Sequence, residues 1–275
     1  MHRSIALWSH PRSMSTALER SFIERGDFTV FHEEFAYVFF MHEQRADIPH
    51  KNTDPDHPLT YPEIRDRMEA ARDGNPVFHK DFPYHALDHL LADPGYLLAQ
   101  TNTFLIRDPA EAVLSHATVH PGLTREVLGY AELARLFDEV RELTGRIPPL
   151  IDAADLAADP AGTLAAYCAA AGIDFRPEAL NWSSGEAPEW KTWSGWHTDV
   201  AASSGIARPA RKYRATAEDD PRLREFVEHC RPYYEHLHQH RIRPAAVPQQ
   251  GPGPEPIDIL HRPGIPQQQR TETTA

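Results

Sequence analysis

Cysteine is nearly absent: Cys168 and Cys230 are the two in 275 residues. Two cannot build a disulfide framework or a four-cysteine zinc site. Their apolar, helix-like surroundings fit buried, reduced thiols. Positive charge is also scarce. Lys plus Arg number 28 against 40 Asp plus Glu, a net −12 with histidine neutral. That sign opposes the coating of nucleic acid and a polybasic membrane anchor, while leaving room for one local basic pocket. No apolar run reaches the ~18 residues of a transmembrane helix. The opening MHRSIALWSHPRSMS has one four-residue apolar stretch, too short for a signal peptide, so a cytoplasmic protein is expected. Glycine and lysine are missing between Ser9 and Glu19, which removes the G-x-x-x-x-G-K-[ST] nucleotide loop. G-x-G-x-x-G and G-x-S-x-G are absent as well.

What is present reads as one folded region and a tail. The chain is 41% hydrophobic and 25% charged, enough for a core. Residues 1–243 alternate short apolar runs with helical periodicity. Residues 244–275 are rich in Pro, Gln and Gly, with too few apolar side chains to offset ordering entropy. They read as a mobile tail, and Ile257-Asp258-Ile259-Leu260 is the stretch within it able to dock.

Strands are expected at Ile5–Trp8, Phe28–Phe31, Val77-Phe78, Thr103–Ile106 and Leu150-Ile151. Met14, Leu18 and Phe22 recur at helical spacing. Pro62–Arg72 reads as a helix capped by Thr60 and stopped near Gly74, and Tyr84–Leu91 as another. A helix should start at about Ala110, and one long amphipathic helix should run from Arg125 to Thr144, ending at Gly145. Asp159-Pro160 opens a helix that Gly172 closes. A last helix covers Pro221–His240, bent at Pro232. This alternation predicts an α/β fold of three layers: a mostly parallel sheet with helices on both faces. Ligands of such sheets bind beyond the carboxyl ends of the strands, so the residues following each strand matter most.

Two of those turns carry anion chemistry. After the first strand come Ser9-His10-Pro11-Arg12-Ser13-Met14-Ser15-Thr16-Ala17. Free N–H groups of a helix start, a guanidinium and several hydroxyls suit a phosphate or sulfate; plain N-capping beside a solvated arginine is the alternative. After the fourth strand Arg107 is followed by Asp108-Pro109, and Ser115 lies eight positions on, about two helical turns. Both could grip a second phosphate. Equally, Arg107 could pair with Asp108 or Glu111, and Ser115 could be a helix-surface or back-bonded hydroxyl.

Together these segments resemble sulfotransferases that use 3′-phosphoadenosine 5′-phosphosulfate (PAPS). S-H-P-R-S-M-S-T-A-L is similar to their 5′-phosphosulfate loop, and F-L-I-R-D-P-A-E-A-V-L-S to their 3′-phosphate motif. Ile151 to Gly172 looks like their late strand and following helix. The resemblance spans about residues 4–180 and is nearest to the bacterial branch whose loop reads H-P-R-S-x-S-T. It implies a P-loop-like sulfotransferase fold. By the same resemblance Arg12, Ser13, Met14, Ser15, Thr16 and Ala17 hold the 5′ end of PAPS, and Arg107 and Ser115 hold the 3′-phosphate. Met14-Ser15 stands where Gly-Thr is usual, so an ordinary helical φ is expected there.

The implied reaction moves a sulfuryl group to a hydroxyl or amine of a small-molecule acceptor, needs no metal, and uses a general base. Some branches place a Glu after the second strand, where Glu33 stands. Others use a His after the third, where this chain has Asp81. Glu33, then Asp81, then His79 are the base candidates, each with a solvated loop charge as the alternative, and Lys80 is placed to neutralise the sulfuryl group. Trp190 to His197 and the basic cluster Arg208, Arg211, Lys212 and Arg214 match the family's late nucleotide-covering loop; an exposed loop with core aromatics is equally open. Phe35, Tyr37, Phe39 and Phe40 line either the acceptor pocket or the core. The rival readings are a sulfotransferase-like nucleotide-binding protein without catalysis and a kinase-like phosphotransferase. His32-Glu33 is no zinc-protease motif, because Ala36 stands where the second His should be. His236 and His240 read as a solvated pair. Oligomeric state is not legible.

Overall fold

Successive residues of the first strand enter two different cores. In β1 (Ser4–Ser9), Ile5 and Leu7 join one hydrophobic cluster while Ala6 and Trp8 join another. All four are fully buried, as a strand covered on both faces requires. The structure, a computed structural model, describes residues 2–49, 51–120, 122–207 and 220–246. β1 lies between β3 (Val77–Asp81) and β4 (Thr101–Ile106), with β2 (Thr29–His32) beyond β3 and β5 (Leu150–Asp152) beyond β4. Every pairing is parallel. The α/β fold expected from the alternation is the one observed.

In chain order the helices are α1 (Ser15–Arg25), α2 (Tyr61–Ala71), α3 (Leu87–Leu91), α4 (Pro94–Leu98), α5 (Pro109–Val119), α6 (Arg125–Leu128), α7 (Tyr130–Thr144), α8 (Ala153–Ala158), α9 (Pro160–Ala171), α10 (Thr198–Ala201) and α11 (Pro221–His238). Leu18 and Phe22 of α1 and Leu164, Tyr167 and Cys168 of α9 cover one face of the sheet. Helices α2 to α7 and α11 cover the other, through residues such as Ile64, Leu133, Phe137 and Val227. Cys168 and Cys230 are both buried and free, and burial pushes both thiols up, to about 11 and about 12. No helix among the described residues is long and apolar enough to cross a membrane.

Local chemistry sets the boundaries. Thr60 and Glu63 form a reciprocal capping box at the start of α2. Asp159 accepts the Gly162 N–H at the head of α9, and Gly172 ends that helix at φ 70°. Two expected helices are broken. The run expected over Arg125–Thr144 divides at Gly129, φ 72°. Tyr84–Leu91 becomes a 3-10 turn, Pro83–His85, then α3, with Ala86 at φ −155° between them. Both breaks occur where Tyr84 packs against Gly129. The tail expected from Pro244 lies outside the described residues from 247 onward; just before it Ile242 N–H donates to Leu150 O, and within its described start Ala245 N–H donates to Gly162 O.

Parallel pairing brings the carboxyl ends of all five strands to one edge. Trp8 pairs with Asp81 and Ser9 with Leu105. The chain leaves β1 between strands reached in opposite directions, the position where such sheets leave a crevice. A Cβ at Gly129 would meet the Tyr84 ring at 3.0 Å in a left-handed residue. Gly129→Ala is therefore expected to lower unfolding stability by at least ~1–2 kcal/mol, read as a lower urea midpoint at unchanged m; an unchanged midpoint would contradict the tight packing at this break.

Candidate active site

The first turn is held in an unusual backbone shape. Arg12 sits at φ 64° and Met14 at φ 73°, both left-handed. The helical φ expected at Met14 is thus corrected: the side chain is not glycine, yet the backbone keeps a conformation that glycine favours, at a cost of ~1–2 kcal/mol. This shape puts Ser15 at the start of α1, with Ser13 buried and its Oγ lacking a partner among the described residues.

The first and fourth turns are bonded to each other. His10 Nε2 accepts the Arg107 backbone N–H at 3.0 Å, while its Nδ1 lies 3.0 Å from Pro11 O. Burial pushes His10 down to about 3, so the ring is neutral, as an acceptor must be. It stacks on Tyr130 at 3.9 Å, and Tyr130 Oη donates to Arg107 O at 2.7 Å. Arg107 Nη1 donates to Arg12 O at 2.9 Å, and Arg12 Nε donates to Ser115 Oγ at 2.9 Å. Arg12 also reaches Trp196 O and Asp199, and Arg107 pairs with Glu111 at 2.8 Å. The expected salt bridge to Glu111 and the position at the ligand edge therefore coexist.

Beside this bonded pair of turns lies one cavity of about 330 Å3. Arg12, Met14, Ser15, Thr16, Ala17, Arg107 and Ser115 all line it, together with Glu33, His85, Trp196 and His197. Phe40, Ile48, Phe82, Tyr84 and Val127 make much of its wall apolar. Of the four aromatics considered from sequence, Phe40 lines the cavity, whereas Phe35, Tyr37 and Phe39 belong to the core.

The base candidates separate sharply. Glu33, at φ 52°, lines the cavity and is ion-paired with the buried Lys80 ammonium. Asp81 is not a lining residue: its carboxylate accepts the Phe35 and Phe82 N–H groups, each at 2.8 Å, and lies 2.6 Å from His85 Nδ1. His79 points the other way, edge-on to Trp8 and bonded to Gln100 at 2.9 Å. The strand alternation that places Lys80 toward Glu33 removes its neighbour His79 from the site. His85, not singled out from sequence, lines the cavity with a buried Nε2 that has no partner among the described residues. A signal existed in the Asp81-x-x-x-His85 spacing, but the Ala86 break that fixes the ring was not legible.

A second buried cluster also escaped the sequence reading. Glu19, on the inner face of α1, accepts from Trp190 Nε1 and lies 2.7 Å from His32 Nδ1; His32 Nε2 is 2.8 Å from His197 Nε2. Burial raises the Glu19 carboxyl to about 8. His197 Nδ1 lies 3.3 Å from Thr16 Oγ1, tying the late segment to the anion loop. Arg208, Arg211, Lys212 and Arg214 lie outside the described residues. His236 is paired with Asp138 at 3.0 Å.

A parallel α/β sheet thus carries two arginine turns bonded to each other beside one cavity. A family model described as a sulfotransferase domain matches residues 3–240, and the chain belongs to that family. Two curated proteins of Arabidopsis thaliana are similar at 32% identity: branched-chain-amino-acid aminotransferase-like protein 2, over 86% of this chain and 41% of its own, and protein 1, over 76% and 37%. The chain thus spans about two fifths of the length of these relatives. Among solved structures, the sulfotransferase domain from the curacin biosynthetic pathway aligns over 89% of this chain and 99% of its own, with TM-score 0.47 and 11% identity. The sulfotransferase from Alicyclobacillus acidocaldarius aligns over 88% and 97%, with TM-score 0.47 and 15% identity.

The buried histidines imply a pH dependence. Burial lowers His10, His79 and His116 below the ordinary 6.5. Below that pH the unfolded chain takes up protons that the native state refuses, so stability falls as pH falls, by up to ~1.4 kcal/mol per pH unit for each group. Glu19, Glu132 and Asp152, shifted upward by burial, act in the opposite sense, but with His120, His229 and His240 also lowered by burial the histidines outnumber them. Urea midpoints measured downward from neutral pH should decline steadily below pH 6.5; a flat profile would refute neutral burial.

Proposed function

We propose that this chain transfers the sulfuryl group of PAPS to a hydroxyl or amine of a small molecule. The observation that carries the reading is the convergence of Arg12 and Arg107, from two separate turns, on one cavity, with Ser115 bonded to Arg12. On this reading Arg12, Ser15, Thr16 and the backbone of the first turn receive the 5′-phosphosulfate, and Arg107 and Ser115 the 3′-phosphate. Fixed donors and a helix start lie where charge builds on the leaving phosphate as the S–O bond to it breaks. The acceptor oxygen forms the new S–O bond and gives up its proton to a base.

His85 fits that base better than the three candidates read from sequence. Glu33 is engaged by Lys80, Asp81 by two N–H groups and His85, and His79 by the core. The Asp81 carboxylate orients the ring through Nδ1, and the buried Nε2, without a partner among the described residues, is the acceptor. The apolar wall of Phe40, Ile48, Phe82 and Val127 favours an acceptor with an apolar body.

Adenosine 3′,5′-bisphosphate should raise the melting temperature by mass action, ATP–Mg should not, and Arg107→Ala should remove the shift. Preference for ATP–Mg would end the sulfotransferase reading. With labelled PAPS and a metabolite pool, His85→Asn should lower turnover by ~10²–10⁴ with bisphosphate binding intact. A larger loss in Glu33→Gln would move the base to Glu33, and binding without any transfer would favour a nucleotide-binding protein.

A further inference from the structure

We infer that His32, Glu33 and His197 form a binding site for one divalent cation of the zinc class. The three residues come from the end of β2 and from the late segment, far apart in sequence, and each is buried. One donor atom from each lies within 4.8 Å of the others. His32 Nε2 and His197 Nε2 are 2.8 Å apart, and Glu33 Oε1 is 3.7 Å from His32 Nε2. Tetrahedral zinc with Zn–N of ~2.0–2.1 Å sets its nitrogens ~3.3 Å apart, so a shift of about half an ångström seats the ion.

The outer contacts are those of a metal site. His32 Nδ1 faces the Glu19 carboxylate at 2.7 Å, the carboxylate–histidine arrangement that orients a ligating ring. His197 Nδ1 faces Thr16 Oγ1 at 3.3 Å. In the tautomer with both Nδ1–H groups donating outward, the form a metal would select, the two Nε2 lone pairs point at each other. Such a pair needs a cation or a shared proton between its nitrogens. Glu33 and His197 both line the cavity, so a fourth position opens toward it, as in sites with three protein ligands.

The donor set also selects the ion. Two imidazoles and one carboxylate suit Zn2+, Ni2+ or Cu2+, whereas Mg2+ and Ca2+ want oxygen shells. The Lys80 ammonium already engages Glu33 Oε1, so an ion at this site competes with it for that carboxylate and the two imidazoles carry most of the binding. The site borders the cavity of the proposed sulfuryl transfer, but cation binding is measured without PAPS, so its failure is distinguishable from failure of that reading.

Untagged, chelator-stripped full chain, with His236→Asn and His240→Asn introduced to remove the surface pair, is titrated with Zn2+ by calorimetry and with Co2+ by absorption. One equivalent should bind, with Co2+ giving the intense bands of a tetrahedral site. His32→Asn and His197→Asn should each abolish that binding, and Glu19→Gln should weaken it ~10–100-fold, with circular dichroism and melting curves verifying that each variant folds. No saturable binding to the folded chain, or binding unchanged in folded His32→Asn or His197→Asn, overturns the inference and leaves a proton between the two rings.

Discussion

The site depends on one neutral imidazole. His10 accepts the Arg107 N–H, and Tyr130, stacked on that ring, donates to the Arg107 carbonyl. The backbone of Arg107 is thus fixed at both polar ends by groups outside its own strand. Its guanidinium then reaches back to Arg12 O, and Arg12 reaches forward to Ser115. Protonating His10 would turn the acceptor into a donor facing a donor. A buried N–H left unpaired in this way costs ~1–3 kcal/mol, and the two turns would lose their shared register.

Backbone strain sits around the same cavity. Arg12, Met14 and Glu33 all have positive φ, and all three line it. Each left-handed non-glycine residue costs on the order of 1–2 kcal/mol, and such residues persist where their surroundings over-determine them. Arg12 is held through Ser115 and Trp196 O, and Glu33 through Lys80. Its N–H also continues the sheet ladder to Lys80 O at 2.8 Å. The strain therefore lies where side-chain direction matters most, and the sheet behind it carries the restraint.

The strands, their parallel pairing and the convergence of the first and fourth turns on one sheet edge were legible because they follow from local rules: apolar runs set strands, and strand–helix alternation sets parallel crossovers; the order of the strands was not. The identity of the base was not. His79 and Lys80 are adjacent in sequence, and strand alternation sends one into the core and the other to the site, so register rather than composition decides. His85 was not singled out, because the turn at Ala86 that fixes its ring lies where Tyr84 packs against Gly129, a tertiary contact. The pairing of Glu19 with His32 was not legible, because their cluster is completed by Trp190 and His197, far away in sequence.

The pairing of Arg107 with Glu111 and of Arg12 with Asp199 looks at first like an argument against anion binding. The exposures point elsewhere. The guanidinium side chains are 8% and 15% exposed, their carboxylate partners 37% and 38%. A bare guanidinium at that depth would carry a large desolvation cost, so some counter-charge is needed before any ligand arrives. A half-exposed carboxylate supplies it weakly, because water screens the pair and ion pairs of this kind contribute only ~0–1 kcal/mol. On the proposed reading, a phosphate that exchanges for such a partner meets an arginine already oriented by Ser115 or by Arg12 O, and the displaced carboxylate returns to water at small cost. On that reading a structural salt bridge and a ligand-binding arginine are two states of one side chain, so the two readings of Arg107 from sequence do not exclude each other.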